Sequence, residues 1–591
     1  MMPPVNALPS FRLLRPGLGC AVASILWVAA SFALAAPPDQ LSEARGHHGV
    51  VVSVSPHATD IGVAILRQGG NAVDAAIAVE FALAVTWPEA GNIGGGGFMM
   101  VHPVDGREPV CIDYRECAPK SATRDMFKPD DGRYTHKIVG VPGTVRGMDV
   151  AHQRFGSLPW RALVEPAARL AGDGFVVNAA LAESLNEAFE EKAIREGEHH
   201  RELVRVYGRR DARTGELAPW QTGDRIVLPD LAATLRRIEE QGAAGFYEGP
   251  TARQLVAEMR RGNGLIGLED LRDYRAKVRP PIHGVFRGHD IYGPPPPSSG
   301  GIGLIEMLQV LETFDLRSQH RFAPGTLHLM AESMKRAFRD RAEFLGDTDF
   351  VPAHPELLSR EHALALARGI DPKKATPSET LAGPIRLADE PPQTTHFSVV
   401  DAKGMAVANT TTLEGSWGAH IVVRGAGFVL NNEMGDFNWV PGWTDREGRI
   451  GTPPNLIEPG KRMLSSQTPV IVATNGRPVL VTGSPGGRTI INTALQIVLD
   501  VVEFGMDLPV AMRSPRIHHQ WFPDTLQVEM FDWRLNEVTL ESLRAMGHHV
   551  TPRKPDSFQG DAHSIRIDPV TGEQHGVADW RRDGKAGAAG E

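Results

Sequence analysis

This sequence predicts a mixed α/β (α+β) fold, on three observations. Apolar stretches of helical length, residues 72–84 and 489–502, need burial on most of their faces. Short β-type runs, residues 395–400, 405–413 and 478–483, are bounded by turn residues. Glycine-rich junctions at 94–97 and 483–487 join the two kinds of segment.

Taken in order, the first residues read as a secretory leader. Arg12 and Arg15 supply positive charge, residues 17–32 are uncharged and mostly apolar, and Ala33-Leu34-Ala35 is a small-x-small cleavage site. The expectation is a signal peptide over 1–36 and an exported protein, periplasmic or secreted. An N-terminal membrane anchor is the alternative, because the stretch approaches the ~20 residues that span a bilayer. Residues 61–86 read as helices, with Gly69-Gly70 ending one and Asn71 capping the next. Gly94-Gly95-Gly96-Gly97 then feeds a strand, and no Lys-Ser or Lys-Thr follows to make a phosphate loop. Pro294-Pro295-Pro296-Pro297-Ser298-Ser299 is a rigid corner, and Leu327, Met330, Met334, Ala337 and Phe338 recur at helical spacing.

Composition excludes several classes. The 591 residues are 42% hydrophobic and 23% charged, as in an ordinary globular protein. A net charge of −9 with no long basic run argues against a nucleic-acid partner. Beyond the leader only Cys111 and Cys117 remain. Six extended residues cover roughly 20 Å, too far for a disulfide, so free thiols are expected. The paired histidines are adjacent in sequence and neither HExxH nor CxxC occurs, so no metal and no cofactor are expected.

The chemistry centres on Pro391-Pro392-Gln393-Thr394-Thr395-His396. An internal threonine has no built-in base, since its amide nitrogen holds no usable lone pair. Cut before Thr394, the chain would present a hydroxyl and an α-amine of pKa about 7.7–8.0 on one residue, a known way to activate a weak oxygen nucleophile. Asp401-Ala402-Lys403-Gly404 reads as a tight hairpin turn. Pairing Asp401 with Gly404 places Thr394 opposite Thr411, with Thr412 as a near neighbour. Gly483-Ser484-Pro485-Gly486-Gly487-Arg488, between a strand and an apolar helix, aims backbone N–H groups at a phosphate or an oxyanion. Arg115 offers a fork for a carboxylate, Ser465-Ser466 adds two hydroxyls, and Glu433 and Asp436 in the 431–436 segment are acceptors for an ammonium group.

As a set, these residues resemble the γ-glutamyltranspeptidases, or glutathione hydrolases, over almost the whole mature chain. The likeness rests on Gly46-His47-His48-Gly49, Gly94 to Phe98, Arg115-Glu116-Cys117-Ala118-Pro119, Thr394-Thr395-His396, Asn431-Asn432-Glu433-Met434, Leu464-Ser465-Ser466, Gly483 to Gly487 and Gly576-Val577-Ala578-Asp579. The resemblance implies an N-terminal-nucleophile (Ntn) hydrolase with a four-layer αββα sandwich, built jointly by a large subunit (37–393) and a small one (394–591). It implies self-cleavage at Gln393–Thr394 and attack by Thr394 on a γ-glutamyl amide. Thr412 would hydrogen-bond Thr394, and Gly486 and Gly487 would hold the oxyanion. Arg115, Ser465 and Ser466 would bind the α-carboxylate, and Asp436 and Glu433 the α-amine. At the position of Glu414 many members carry Asn and some bacterial ones Glu. The implied partners are glutathione or other γ-glutamyl amides, with water, an amino acid or a peptide as acceptor. Alternatives are a glutaryl or cephalosporin acylase of the same architecture, or an unprocessed binding protein. Residues 438–460 have room for a substrate lid.

Overall fold

Two seven-stranded sheets, stacked face to face, carry the molecule. The computed structural model describes residues 41–590 apart from 129–130, 383–387, 390–393 and 555–556, so Gln393 and the leader lie outside it. The first sheet runs Lys585–Ala588, Gly49–Ser53, Thr395–Asp401, Ala406–Thr412, Gly96–His102, Val110–Asp113, Lys277–Arg279. The second runs Glu43–Gly46, Gln574–Ala578, His563–Ile567, Arg477–Thr482, Val470–Thr474, His289–Gly293, Ile282–Phe286. Both sheets mix strands from before and after position 394, so a cut there would leave each part hydrogen-bonded to the other.

Side chains two apart along a strand share a face, and that alternation assembles the layers. Val400, Ala406 and Ala408 of the first sheet meet Ile471, Val481 and Ile565 of the second in a core between the sheets. Phe397, Val399 and Val407 point the other way, into a core with the helix Ala72–Thr86. That helix is buried at every position and capped by Asn71, whose side chain accepts from Asp74 N–H while Asp74 answers from N3. On the outer face of the second sheet, Leu480 and Val472 pack with the helices Gly300–Glu312, Pro324–Phe344 and Thr489–Val498. The expected four-layer αββα sandwich follows.

The hairpin differs from expectation by one residue. Val400 pairs with Ala406 and Thr395 with Thr411, so the register places Thr394 opposite Thr412 rather than Thr411. The cause is a three-residue loop, Ala402-Lys403-Gly404, in place of a two-residue turn. Gly404 takes φ +88°, and Asp401 Oδ1 accepts from the N–H groups of Lys403 and Met405. The helix expected over 489–502 is α-helical over Thr489–Val498 and continues as a π-turn, Leu499–Glu503. Cys111 and Cys117 are free. No helix among the described residues is long and apolar enough to cross a membrane.

Candidate active site

Thr394 stands at the head of a central strand, where even-numbered side chains face the neighbouring sheet. Thr412, the last residue of the adjacent strand, shares that face. Their hydroxyl oxygens lie 3.3 Å apart. Glu414 has φ +77°, which turns the chain back so that its N–H donates to Thr412 Oγ at 2.8 Å. Thr412 Oγ therefore meets both the Glu414 N–H and the Thr394 hydroxyl.

The glycine turn approaches from the second sheet. Gly486 and Gly487 adopt φ +121° and +55°, and a Cβ on Gly486 would sit 2.4 Å from Thr489 Oγ. The Gly486 and Gly487 carbonyls accept from Thr489 and Ile490 N–H, closing the turn onto the helix start. Among the described residues neither glycine N–H has a hydrogen-bond partner. Two free donors at a helix N-terminus favour negative charge.

One cavity brings most of the expected residues together. Thr394, Thr412, Gly487, Arg115, Glu414, Asp436, Ser465 and Ser466 all line it. Gly486 opens onto a larger neighbouring cavity, which shares Thr394 and Arg488 with the first. Glu433 lines neither cavity. It is fully buried, 2.6 Å from Arg115 Nη1, while Asp436 takes Nη2 of the same guanidinium. Glu433 therefore anchors Arg115 from behind, and Asp436 and Glu414 are the carboxylates exposed to a ligand.

Charge in this corner is crowded. Burial works against the charge on Arg115, but Glu433, Asp436 and Glu116 outweigh it and keep the guanidinium ionised. Burial pushes Glu433 up and Glu116 up to about 8, against the pull of Arg115. Glu414 pairs with Arg133 at 3.2 Å. A zwitterion fits between such alternating charges.

Further residues complete the wall, and Arg341 among them was not singled out from the sequence. Arg341, on the helix Pro324–Phe344, donates to Ser299 Oγ at 2.9 Å and to Ser466 Oγ at 3.3 Å. The proline-rich corner braces the same spot, since Ser299 Oγ donates to the Ser465 carbonyl and Ser465 N–H to that of Pro297. Arg488 Nη1 donates to the Gly448 carbonyl at 2.6 Å. Asn455 donates to the Asp436 carbonyl and pairs through its own carbonyl with Asn438 N–H. Ile450 and Thr452 also line the cavity, so the 438–460 segment contributes part of its wall.

Comparison with known proteins agrees with this geometry. The family profile described as Gamma-glutamyltranspeptidase matches residues 58–589. The glutathione hydrolase proenzyme of Escherichia coli (strain K12) is 41% identical over 580 residues, 95% of this chain and 97% of that protein. The glutathione hydrolase proenzyme of Pseudomonas aeruginosa is 40% identical over 570 residues, 94% of this chain and 95% of that protein. Among solved structures, a cephalosporin acylase from Bacillus halodurans superposes with TM-score 0.81 at 26% identity, covering 93% of this chain and 97% of that one. This chain belongs to the gamma-glutamyltranspeptidase family.

Proposed function

We propose that this chain is a self-processing γ-glutamyltransferase and glutathione hydrolase, cut between Gln393 and Thr394 into subunits spanning 37–393 and 394–591. The observation that carries the reading is the 3.3 Å approach of the Thr394 and Thr412 hydroxyls at the head of the central strand. The new α-amine of Thr394 takes the proton from Oγ as Oγ attacks the γ-carbonyl carbon. The oxyanion rests on the Gly486 and Gly487 N–H groups. The C–N bond then breaks, the amine leaves with that proton, and a γ-glutamyl ester on Thr394 passes to water or to the amine of an amino acid or peptide. His396, two residues along, is not the base: its nitrogens contact Thr410 Oγ and Ser398 Oγ, and burial holds its pKa well below the usual histidine value.

Arg115, Ser465 and Ser466 receive the α-carboxylate of the substrate, with Arg341 holding the Ser466 hydroxyl. Asp436 and Glu414 receive its α-amine, and Glu433 keeps Arg115 in place. The leader is removed after Ala36 and the enzyme works outside the cytosol.

An acylase reading is favoured by the superposition on the cephalosporin acylase. A glutaryl side chain has no α-amine, so it offers Asp436 and Glu414 no ammonium group of its own. Turnover of a γ-glutamyl anilide against its glutaryl counterpart tests the choice. The γ-glutamyl compound is expected to react faster, and the reverse order would favour the acylase.

A further inference from the structure

Three helices converge on a set of metal-type donors that line neither of the two cavities above. Glu306 of Gly300–Glu312, Asp340 of Pro324–Phe344 and His362 of Arg360–Arg368 hold their ligand atoms within 4.8 Å of one another. Glu306 and Asp340 are each 1% exposed. Asp340 is partly served, its Oδ1 accepting from Arg339 Nη1 and its Oδ2 facing His362 Nε2, both at 2.7 Å. Glu306 is not served. Its Oε1 is sealed from solvent with no hydrogen-bond partner, and its carboxyl supplies an oxygen to the same cluster.

Local charge points the same way. Glu306, Asp340 and Glu343 are three carboxyls around the single guanidinium of Arg339, which pairs with the last two. Among the described residues no cation stands within ion-pair distance of Glu306, and burial together with Asp340 outweighs the pull of Arg339 and pushes its pKa well above the usual carboxylate value. The other buried cluster, His328, Glu332 and His548, differs in this respect. There Lys335 and Arg336 already sit 3.2 and 2.7 Å from Glu332, filling the role of a cation.

We propose that Glu306, Asp340 and His362 form a binding site for a divalent first-row transition-metal ion such as zinc or manganese. Bonds of about 2.0–2.2 Å to such an ion separate opposite ligands by at most about 4.4 Å, which a small contraction of this cluster supplies. One nitrogen and carboxylate oxygens suit these metals better than the all-oxygen sets of calcium and magnesium. His362 offers Nε2 by carrying its proton on Nδ1, and Glu306 and Asp340 offer carboxylate oxygens. A cavity lined by Gln309, Leu358 and Ala363 lies beside the first and third helices. Gln309 lies one turn from Glu306 and also has an unpartnered Oε1. The ion would brace the three helices and, through Asp340, steady the adjacent Arg341 that donates to Ser299 and Ser466.

The test uses the purified full-length protein, loaded with zinc and dialysed, then with cobalt(II) as a spectroscopic substitute. Metal analysis is expected to give about one ion per chain, with affinity weakened about 100-fold or more in Glu306→Gln and His362→Gln. Cobalt(II) should give visible absorption in the parent and not in the variants. A chelator should lower the Tm of the parent and leave Glu306→Gln unmoved. The proposal is overturned if the parent binds no stoichiometric ion, or if parent and variants bind alike. It is equally overturned if the chelator has no effect and Glu306→Gln is as stable as the parent, since Glu306 is then simply a buried neutral acid.

Discussion

Thr412 Oγ lies 3.3 Å from Thr394 Oγ and accepts the Glu414 N–H at 2.8 Å. The two contacts meet at one oxygen, which places Thr412 to act on the proposed nucleophile Thr394. Replacing Thr412 by Ala is expected to slow both chain cleavage and turnover by about 10–100-fold, the worth of one buried hydrogen bond of ~1–3 kcal/mol. Thr412→Ser should keep most of the rate. Gel analysis of processing and steady-state kinetics check both, and equal rates in Thr412→Ala would remove Thr412 from the mechanism.

Asp436 faces the cavity while pairing with Arg115, so its carboxylate is placed to meet an ammonium group. Asp436→Asn should raise KM for a γ-glutamyl anilide by about 10–100-fold, a charged hydrogen bond being worth ~1.5–3 kcal/mol. The same variant should leave the glutaryl counterpart nearly unchanged. Parallel losses on both compounds would show that Asp436 acts only by holding Arg115.

At Gly486 the backbone sits at φ +121°, and an added methyl meets Thr489 Oγ at 2.4 Å. Gly486→Ala must therefore shift the turn that presents the two free N–H groups. A fall in kcat of about 100–1,000-fold is expected, with a smaller change in KM. Retention of kcat would place the oxyanion elsewhere.

Behind the hairpin, burial raises Glu80 from an ordinary 4.5 to about 8, despite hydrogen bonds from Thr411 and Asn409. The folded chain keeps that proton up to about pH 8, whereas the unfolded chain releases it from about 4.5. Stability should then fall as pH rises between those values, by up to about 1.4 kcal/mol per pH unit for this group, and level off above pH 8. Glu80→Gln should remove that part of the slope. Denaturant unfolding at three pH values checks it, and an unchanged slope would contradict the assignment.

The β-type runs and the Asn71-capped helix were legible because turn and cap residues are local signals, whereas the four layers came only from the family resemblance; the hairpin already put Thr412 near Thr394. Its register was off by one because Gly404 ends a three-residue loop, a distinction carried by a φ angle and not by residue type. Arg341 was hidden among the charges of its own helix. What marks it is a bond to Ser466, 125 residues away, and spacing within a helix cannot report such a contact. Glu433 was legible as an acid near the site but not as the one turned inward, since that depends on which side of Arg115 the Glu433–Asp436 turn places each carboxylate. The Glu306 cluster draws its donors from three helices, so no short motif reveals it.

Intact-mass and N-terminal sequencing of the purified protein test the central claim most directly. The account predicts two polypeptides, the smaller beginning at Thr394 and matching residues 394–591, and one uncut, inactive chain for Thr394→Ala. A parent protein that remains in one piece while hydrolysing a γ-glutamyl amide would contradict it.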